Sequence, residues 1–571
     1  MGLTEKSLQL KELVSIYESK WFLGDLSDVI HSGRDRANDM LGNLSSPMRQ
    51  LYYLAGLNLS TNKDKGVEFW YDPAKWNEIV KLLNEIEQEY QIMMLQFNEA
   101  TDDFNNWKKI REVAVPSFLT YFNQGPLNYE EQILNWIIDL YSTFDDYFFS
   151  VFGLITEDFI TFYENLDKLN QNNFQGYTFN NELLRADWES YTTIESGMDE
   201  NLPSFFKDSI PKDYIVMSKF MIDKGMKDRF YPEELVCEKL SLEKVEKILS
   251  FLSVKREEKD FTYYSETNPG NPLYRNPIFD IENRMYQVFE VKQVIHSINS
   301  FLENAITSDA TKTDKYLKIK GNLLENNIIS LFKKFFGSEI KLFQSYYVDG
   351  KEQDILIIWN NYAFIIEAKG YNLREPLRTP EKAFKRIKDD FKKSIGYGYE
   401  QTSRIEKIFL EKKQLIITNN KKEIIEIIET KHIKECFSII VNLDSFGLIQ
   451  NDLSYLLELQ NQDDIFPWAV KFDDLEIFIL TLIAKGKSPD FFIDFLLFRE
   501  ELHGKIMCSD ELEICGGYLT GNINSKKMKY LDTLVTRPDY GDVFDDQYNK
   551  TMGFKNEKYL YEKQSGKFRF W

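Results

Sequence analysis

The chain has 571 residues, of which 43% are hydrophobic and 15% aromatic, and its formal net charge is −21. This apolar content excludes an intrinsically disordered protein, and the length predicts three or four domains. The negative charge excludes indiscriminate binding to nucleic acid, because a polyanion repels phosphates, so any such binding must depend on local positive charge.

Helical periodicity dominates the first part of the chain. Apolar residues recur at helical spacing in segments such as 76–94 and 129–154, and a further helix is predicted from Ser241 to Val254. We therefore predict a mainly helical N-terminal region over residues 1–255, which we interpret as a candidate sensor or regulatory part.

A turn-rich connector is predicted next, over residues 256–312. Asparagine precedes proline three times between residues 268 and 277, and a residue before proline avoids the helical conformation. Short strands and a helix near Gln293 to Ala305 are expected in this connector.

An amphipathic helix is predicted after the connector, in the segment that opens at Lys320. Its apolar residues Leu324, Ile328 and Phe332 lie at helical spacing, and the acidic residue Glu325 lies beside them. This helix leads into a pair of predicted strands.

The two strands are the apolar segments 354–359 and 362–369, which are joined only by Asn360 and Asn361. Both segments are rich in β-branched and aromatic residues. Asparagine tolerates the left-handed conformation that a two-residue hairpin turn requires, so the stretch predicts an antiparallel β-hairpin.

The turn also predicts the register of this hairpin. If the two asparagines form the loop, Trp359 pairs with Tyr362 and Asp354 falls opposite Glu367. Directly opposed residues have Cβ atoms roughly 4.5–5.5 Å apart. Lys369 projects to the same face, because side chains alternate along a strand. We therefore expect two carboxylates and one ammonium group to converge.

Two ionised carboxylates about 5 Å apart repel by roughly 3 kcal/mol at an effective dielectric constant near 20, so they require a compensating charge. Oxygen ligands without nearby His or Cys favour Mg²⁺ or Mn²⁺. A lysine beside such a metal can orient or deprotonate a water molecule. The pattern favours a metal-dependent phosphodiesterase site, and the alternative is an ordinary surface pair of Glu367 and Lys369.

Further elements are predicted after the hairpin: a helical segment from Glu381 to Lys412, a strand over Leu415–Ile417 and another from Cys436 to Leu443. Between Lys369 and Lys393 there are nine Lys or Arg residues against four Asp or Glu, so the local charge is 9 − 4 = +5. This run could bind backbone phosphates. The alternative is a solvated helix face.

The order of Asp354, twelve intervening residues and Glu367-Ala368-Lys369 resembles the motif of the PD-(D/E)XK nuclease superfamily, which has the restriction-endonuclease-like fold. The resemblance covers residues 313–445. It implies an α/β nuclease core, a mixed sheet flanked by helices, which hydrolyses phosphodiesters with Mg²⁺ or Mn²⁺. Gln353 departs from the motif, because it stands where many members have proline.

The resemblance also implies roles for single residues. Asp354, Glu367, the backbone carbonyl of Ala368 and the helix acid Glu325 would be metal ligands. Lys369 would position or activate the attacking water. Gln401 matches the glutamine-bearing helix of some subfamilies and is a candidate for positioning substrate or water, while a solvated helical glutamine is the alternative.

Residues 446–571 are predicted to form a smaller helical C-terminal region with an irregular tail. The resemblance implies a DNA endonuclease acting in bacterial defence against foreign DNA. A catalytically inactive nuclease fold that serves as a binding or scaffold protein, or an RNase, is the alternative. Nucleic acid is the expected partner, with DNA favoured by the resemblance, and a regulatory protein partner or a homo-oligomer stays open.

The sequence also predicts a location. The chain has four scattered cysteines without a CxxC pair, which indicates neither a disulfide framework nor a zinc ribbon. No stretch reaches the roughly 18 uninterrupted apolar residues that a membrane span requires, and a secretory signal pattern is missing at the N-terminus. We therefore expect a cytoplasmic protein without a membrane partner.

Overall fold

The computed structural model describes most of the chain, apart from Met1, Asn372, Ser509, Tyr530 and Met552 and several longer stretches. The described ranges are 2–31, 44–62, 66–69, 73–99, 103–123, 128–173, 223–264, 270–371, 373–374, 379–461, 464–508, 510–529, 531–551 and 553–554. Part of the predicted helical region, residues 174–222, lies outside them.

The chain divides into two compact units, which differ from the four predicted regions. Among the described residues, the first unit contains those of 1–91 and 133–308, and the second contains those of 92–132 and 309–554. The boundary at residue 308 lies close to the predicted start of the nuclease core. The described residues of 446–554, which were predicted as a separate C-terminal region, belong to the same unit as residues 313–445.

The first unit combines helices with one small sheet. Its helices are α1 (Leu3–Ser15), α2 (Ser19–His31), α3 (Pro47–Leu59), α4 (Pro73–Leu95, which ends within the second unit), α6 (Glu130–Tyr141, which begins within the second unit), α7 (Asp145–Phe152), α8 (156–173), α9 (Leu242–Leu252), α10 (Pro272–Arg275) and α11 (Val291–Thr307). Its strands are β1 (Arg229–Phe230), β2 (Ser253–Val254), β3 (Ile278–Ile281) and β4 (Met285–Val288), in the order β1-β4-β3-β2. The short strands and the helix predicted in the connector are therefore present.

The second unit is built around a larger sheet. Its strands are β5 (Ile340–Val348), β6 (Lys351–Trp359), β7 (Tyr362–Lys369), β8 (Gln414–Thr418), β9 (Ile424–Glu429), β10 (Glu435–Asn442) and β11 (Trp468–Lys471), with a separate pair β12 (Ile506–Met507) and β13 (Leu534–Val535). Its helices are α5 (Phe104–Asn123), α12 (Ala310–Phe336), α13 (Pro380–Phe391), α14 (Tyr397–Leu410), α15 (Leu448–Asn451), α16 (Phe472–Ala484), α17 (Pro489–Glu500), α18 (Glu511–Leu519), α19 (Ser525–Met528) and α20 (Asp542–Thr551). Among the described residues, every helix is too short or too polar to cross a membrane.

The larger sheet has seven strands in the order β11-β10-β7-β6-β5-β8-β9. β10 runs parallel to both β7 and β11, while the hairpin β6-β7 and the pair β5-β6 are antiparallel. The sheet is therefore mixed, and helices cover it. This agrees with the predicted mixed sheet flanked by helices, an architecture that does not by itself identify a nuclease.

The two faces of the sheet are packed differently. On one face, Phe364 of β7 contacts Phe332 and Phe336 of α12 and Phe492 of α17. On the other face, Leu356, Ala363 and Ile365 pack with Ile405 and Phe409 of α14, in a cluster of buried residues. Because both faces are covered, the middle parts of the central strands, Ile355–Ile358 of β6 and Ala363–Ile366 of β7, are entirely apolar.

Helix α5 explains why residues 92–132 belong to the second unit. Its buried residues Val113 and Ala114 pack in one cluster with Ala383 and Ile387 of α13. Arg111 of α5 also donates to Glu381 at a distance of 2.8 Å. This packing joins residues that lie far apart in the sequence, so the local helical pattern could not predict it.

Helices α13 and α14 form the segment that was predicted as one helical stretch from Glu381 to Lys412. A π-helical turn, Lys392–Gly396, lies between them. Just after it, a Cβ atom built on Gly398 would lie only 3.0–3.3 Å from three side-chain carbons of Ile440 on β10. The absence of a side chain at this position therefore permits the close contact between α14 and the sheet.

We expect Gly398→Ala to lower the free energy of unfolding by about 1–3 kcal/mol, because the added methyl group overpacks the contact with Ile440. Gly321→Ala in helix α12 is the matched control, since nothing lies within 4 Å of a Cβ atom there. That control should stabilise the protein by up to about 1 kcal/mol. Denaturant unfolding of both variants tests this, and equal stability would contradict the packing argument.

Candidate active site

The candidate site lies where the hairpin β6-β7 meets helix α14. The Nζ atom of Lys369 lies 2.8 Å from Oε2 of Glu367 and 3.4 Å from Oδ2 of Asp354. The structure thus brings together the two carboxylates and the ammonium group that the sequence places on one face.

The hairpin register produces this convergence. Asn360 adopts a positive φ of 51°, and the strands pair from Trp359 with Tyr362 through Ile355 with Ile366, as predicted. Beyond that pair, side chains continue the hydrogen bonding between the strands. Asp354 accepts a hydrogen bond from the amide of Ala368 at 2.8 Å, and Glu367 accepts one from the amide of Asp354 at 3.3 Å.

Burial dominates the electrostatics of this group. Glu367 has no solvent-exposed surface, and the side chains of Lys369 and Asp354 are 10% and 19% exposed. Burial raises the pKa of Glu367 to about 8, while the nearby Lys369 opposes this shift and Asp354 adds to it. Burial alone would lower the pKa of Lys369, but the two carboxylates raise it above its usual value.

Helix α14 supplies two further contacts to the lysine. Gln401 accepts a hydrogen bond from Nζ of Lys369 at 2.8 Å, and this glutamine is almost fully buried. One helical turn earlier, the ring of Tyr397 lies 5.4 Å from the same Nζ atom. Gln401 is therefore not a solvated helical side chain, whereas Tyr397 was not identified from the sequence.

Glu325 is the predicted site residue that the structure places differently from the others. It accepts from Nε2 of Gln344 at 3.3 Å and from Oγ of Ser345 at 3.5 Å, both on β5. Burial and the charge of Asp354 raise its pKa. The pKa of Glu325 therefore depends on the charge of Asp354, although the two side chains share no hydrogen bond. Across the described parts of the chain, no group of three or more His, Cys, Asp and Glu side chains is arranged to hold a metal ion.

An irregularity in β5 brings a second tyrosine to the site. Ser345, which would lie opposite Asp354 in the β5-β6 register, has a positive φ of 47°. Past this residue Tyr346 packs in the same buried cluster as Leu356. Its hydroxyl group has no hydrogen-bond partner among the described residues, and burial, followed by the charges of Glu367 and Asp354, raises its pKa.

The donor set fits a hard divalent cation. Asp354 and Glu367 offer carboxylate oxygens, and the hydroxyl oxygen of Tyr346 is a third group without a partner close to their charge. Lys369 contributes one positive charge against two carboxylates, so the group keeps a net charge of −1 when both acids are ionised. Oxygen donors and excess negative charge favour Mg²⁺ or Mn²⁺ over softer metals.

No family model, curated protein or solved structure matches this chain. The interpretation of the site consequently depends on its own geometry.

A second group of acids, Glu406 of α14, Glu435 of β10 and Glu500 of α17, is partly buried outside this site. Burial, which is the largest cause, and the charge of Glu435 together raise the pKa of Glu406 to about 7 and that of Glu500 to about 8. Glu406 accepts a hydrogen bond from Ser438 at 2.8 Å. These acids bind protons more tightly in the folded protein than in the unfolded chain.

This group makes stability depend on pH. A carboxyl group whose pKa is higher in the folded state than in the unfolded state keeps an extra proton between those two pKa values, so the free energy of unfolding falls as pH rises. For Glu500 the window runs from the ordinary glutamate pKa of 4.5 to about 8. We expect the free energy of unfolding to fall less steeply with pH in Glu500→Gln than in the wild type, by up to about 1.4 kcal/mol per pH unit. Unfolding midpoints between pH 5 and 8 test this against the exposed control Glu501→Gln, and parallel curves for wild type and Glu500→Gln would contradict it.

Metal binding should stabilise the protein through the two central carboxylates. We expect Mn²⁺ at ten times its dissociation constant to add about 1.4 kcal/mol to the free energy of unfolding. Glu367→Gln should abolish this gain, because it removes a negative charge while keeping the size of the side chain. Melting curves with Mn²⁺ and with EDTA test this, using Glu352→Gln on the exposed part of β6 as the control. An equal Mn²⁺ response in Glu367→Gln would contradict the assigned ligand.

Proposed function

We propose that this chain is a metal-dependent nuclease whose second unit contains a core similar to that of the PD-(D/E)XK superfamily. The observation that supports this best is the contact of one buried lysine with Asp354, Glu367 and Gln401. A surface ion pair would be exposed and would lack the buried glutamine, so this arrangement favours a reaction site.

Each residue then has a role in hydrolysis of a phosphodiester. Asp354 and Glu367 would hold the metal ion, which when bound supplies a Lewis acid for the phosphate oxygens and lowers the pKa of a bound water. A water oxygen would bond to phosphorus while the bond to the leaving sugar oxygen breaks, with inversion; the water would release its proton to solvent, and the leaving oxygen would take up one proton from solvent. Lys369 stabilises the negative charge that develops on the phosphate.

The raised pKa of Lys369 restricts its role. Because the two carboxylates raise its pKa above the usual 10.5, the amine is protonated in this structure and acts as a cation and hydrogen-bond donor. An ammonium group has three N–H bonds, and here three side chains accept from it. The longest contact, 3.4 Å to Asp354, is the weakest of the three. We infer that a substrate phosphate replaces Asp354 at the lysine once Asp354 binds the metal.

DNA is the proposed substrate, by the resemblance to a superfamily whose members mostly act on it. The proposed setting is the bacterial cytoplasm, in defence against foreign DNA. The same site chemistry would cleave RNA, and loss of activity would leave a nucleic-acid-binding module, so the test must separate these cases.

The test is incubation of the protein with single-stranded and double-stranded DNA and RNA, in the presence of Mg²⁺, Mn²⁺ or EDTA. We expect metal-dependent cleavage that falls by about 10²-fold or more in Glu367→Gln and Lys369→Ala, because each removes a charge at the reacting phosphate. Glu352→Gln is the control and should keep full activity.

Full activity in either site variant, or activity that persists in EDTA, would contradict the assignment. Cleavage of RNA alone would favour the RNase. Binding without cleavage of any substrate by the wild-type protein would favour the inactive module.

A further inference from the structure

A row of lysines lies on one exposed face of α13 and of the π-helical turn that follows it. All of its members are exposed, at approximately helical spacing, while Ala383, Ile387 and Phe391 on the opposite face are buried. The members of this lysine row are Lys382, Lys385, Lys388, Lys392 and Lys393. Along the helix axis the row extends over about 17 Å.

The charge of the lysine row is not neutralised within the described part of the chain. None of the five lysines forms an ion pair with a described carboxylate. Among residues 380–393, Glu381 is occupied by Arg111, and Asp390 is buried against Arg374. Asp389 is the remaining acid, so the five lysines and Asp389 together carry 5 − 1 = +4, without the half-buried Arg386.

Such clustering requires an explanation in a chain with a net charge of −21. Like charges three or four residues apart on a helix destabilise it by roughly 0.2–0.5 kcal/mol per pair. A polyanion that binds along the row would remove this repulsion and release counterions. The lysine row therefore fits the backbone of a nucleic acid.

The position of Tyr397 indicates which form of nucleic acid fits. The lysine row ends at Lys393, and Tyr397 follows after the π-helical turn with 53% of its surface exposed. Its ring lies 5.4 Å from Nζ of Lys369, so an exposed aromatic side chain stands beside the reaction site. In a duplex the faces of the bases are covered by their neighbours, whereas an unpaired base can stack on an aromatic ring.

We propose that the lysine row binds the backbone of a single-stranded nucleic acid and that Tyr397 stacks on a base next to the phosphate that enters the site. This rests on the proposed function for the role of the site, but binding of the strand is independent of cleavage. The proposal predicts a preference for single strands over intact duplex.

The test measures binding in EDTA, where the proposed cleavage cannot occur. The probes are fluorescein-labelled dT12, rU12 and a 12-base-pair DNA duplex, titrated with the full chain and followed by fluorescence anisotropy. We expect tighter binding of at least one single strand than of the duplex. Comparison of dT12 with rU12 distinguishes DNA from RNA.

Two variants test the two parts of the surface. The triple change Lys385→Gln, Lys388→Gln and Lys392→Gln should weaken single-strand binding at least tenfold and reduce the slope of log K against log salt by about 2. The matched control replaces Lys318, Lys333 and Lys334 of α12, which are also exposed, with glutamine and should change binding less than twofold. Tyr397→Ala should weaken binding about tenfold, whereas Tyr397→Phe, which keeps the aromatic ring, should bind as tightly as the wild type.

Failure of this proposal differs from failure of the proposed function. Equal binding by the lysine variant and its control, or tighter binding of duplex, would overturn the single-strand proposal even if metal-dependent cleavage occurs. Row-dependent binding of single strands without cleavage would support it while overturning the nuclease assignment.

Discussion

The second unit depends on one constraint: the carboxyl group of Glu367, fully buried, must find its partners inside the protein. Removing an ion from water costs several kcal/mol unless well-placed partners compensate. Here Lys369 donates to one oxygen and the amide of Asp354 to the other. The same contacts bring Asp354 to the lysine and direct Gln401 of α14 toward it. A structural requirement of the core and the geometry of a reaction site are thus met by the same atoms.

The mixed sheet places Glu367 and Lys369 at the carboxyl end of a central strand. β7 and β10 are parallel and end together, with Lys369 paired to Asn442. In α/β sheets ligands bind beyond the carboxyl ends of such strands. The chain that leaves β7 is held on two sides, since Asp444 accepts from the amide of Leu373 at 2.7 Å and Asp390 accepts from Nε of Arg374 at the same distance. The segment that follows β7 is therefore held in place by the carboxylates of Asp444 and Asp390 as well as by apolar packing.

The hairpin could be predicted from sequence because its register is a local property. The turn of Asn360 and Asn361 and the alternation of side chains together place Asp354 opposite Glu367. Other features depend on contacts between distant segments. Ser345 has a positive φ although it is not a glycine, so the sequence does not indicate the irregularity that turns Tyr346 toward the acids. Likewise, α5 joins the second unit through its packing on α13. For the same reason Glu325, although correctly predicted on a helix before the hairpin, lies against Gln344 and Ser345.

The charge of the whole chain and that of the lysine row act over different distances. At physiological ionic strength the Debye length is about 8 Å, so acids far from α13 contribute little to the potential at its exposed face. A strand that contacts the row experiences mainly the nearby lysines, whereas at low salt the net charge of −21 of the whole chain acts over a longer distance and opposes approach. The release of counterions raises the affinity for nucleic acid at low salt, and the long-range repulsion by the negatively charged chain lowers it. A chain of this composition can therefore bind nucleic acid at one surface without binding it elsewhere.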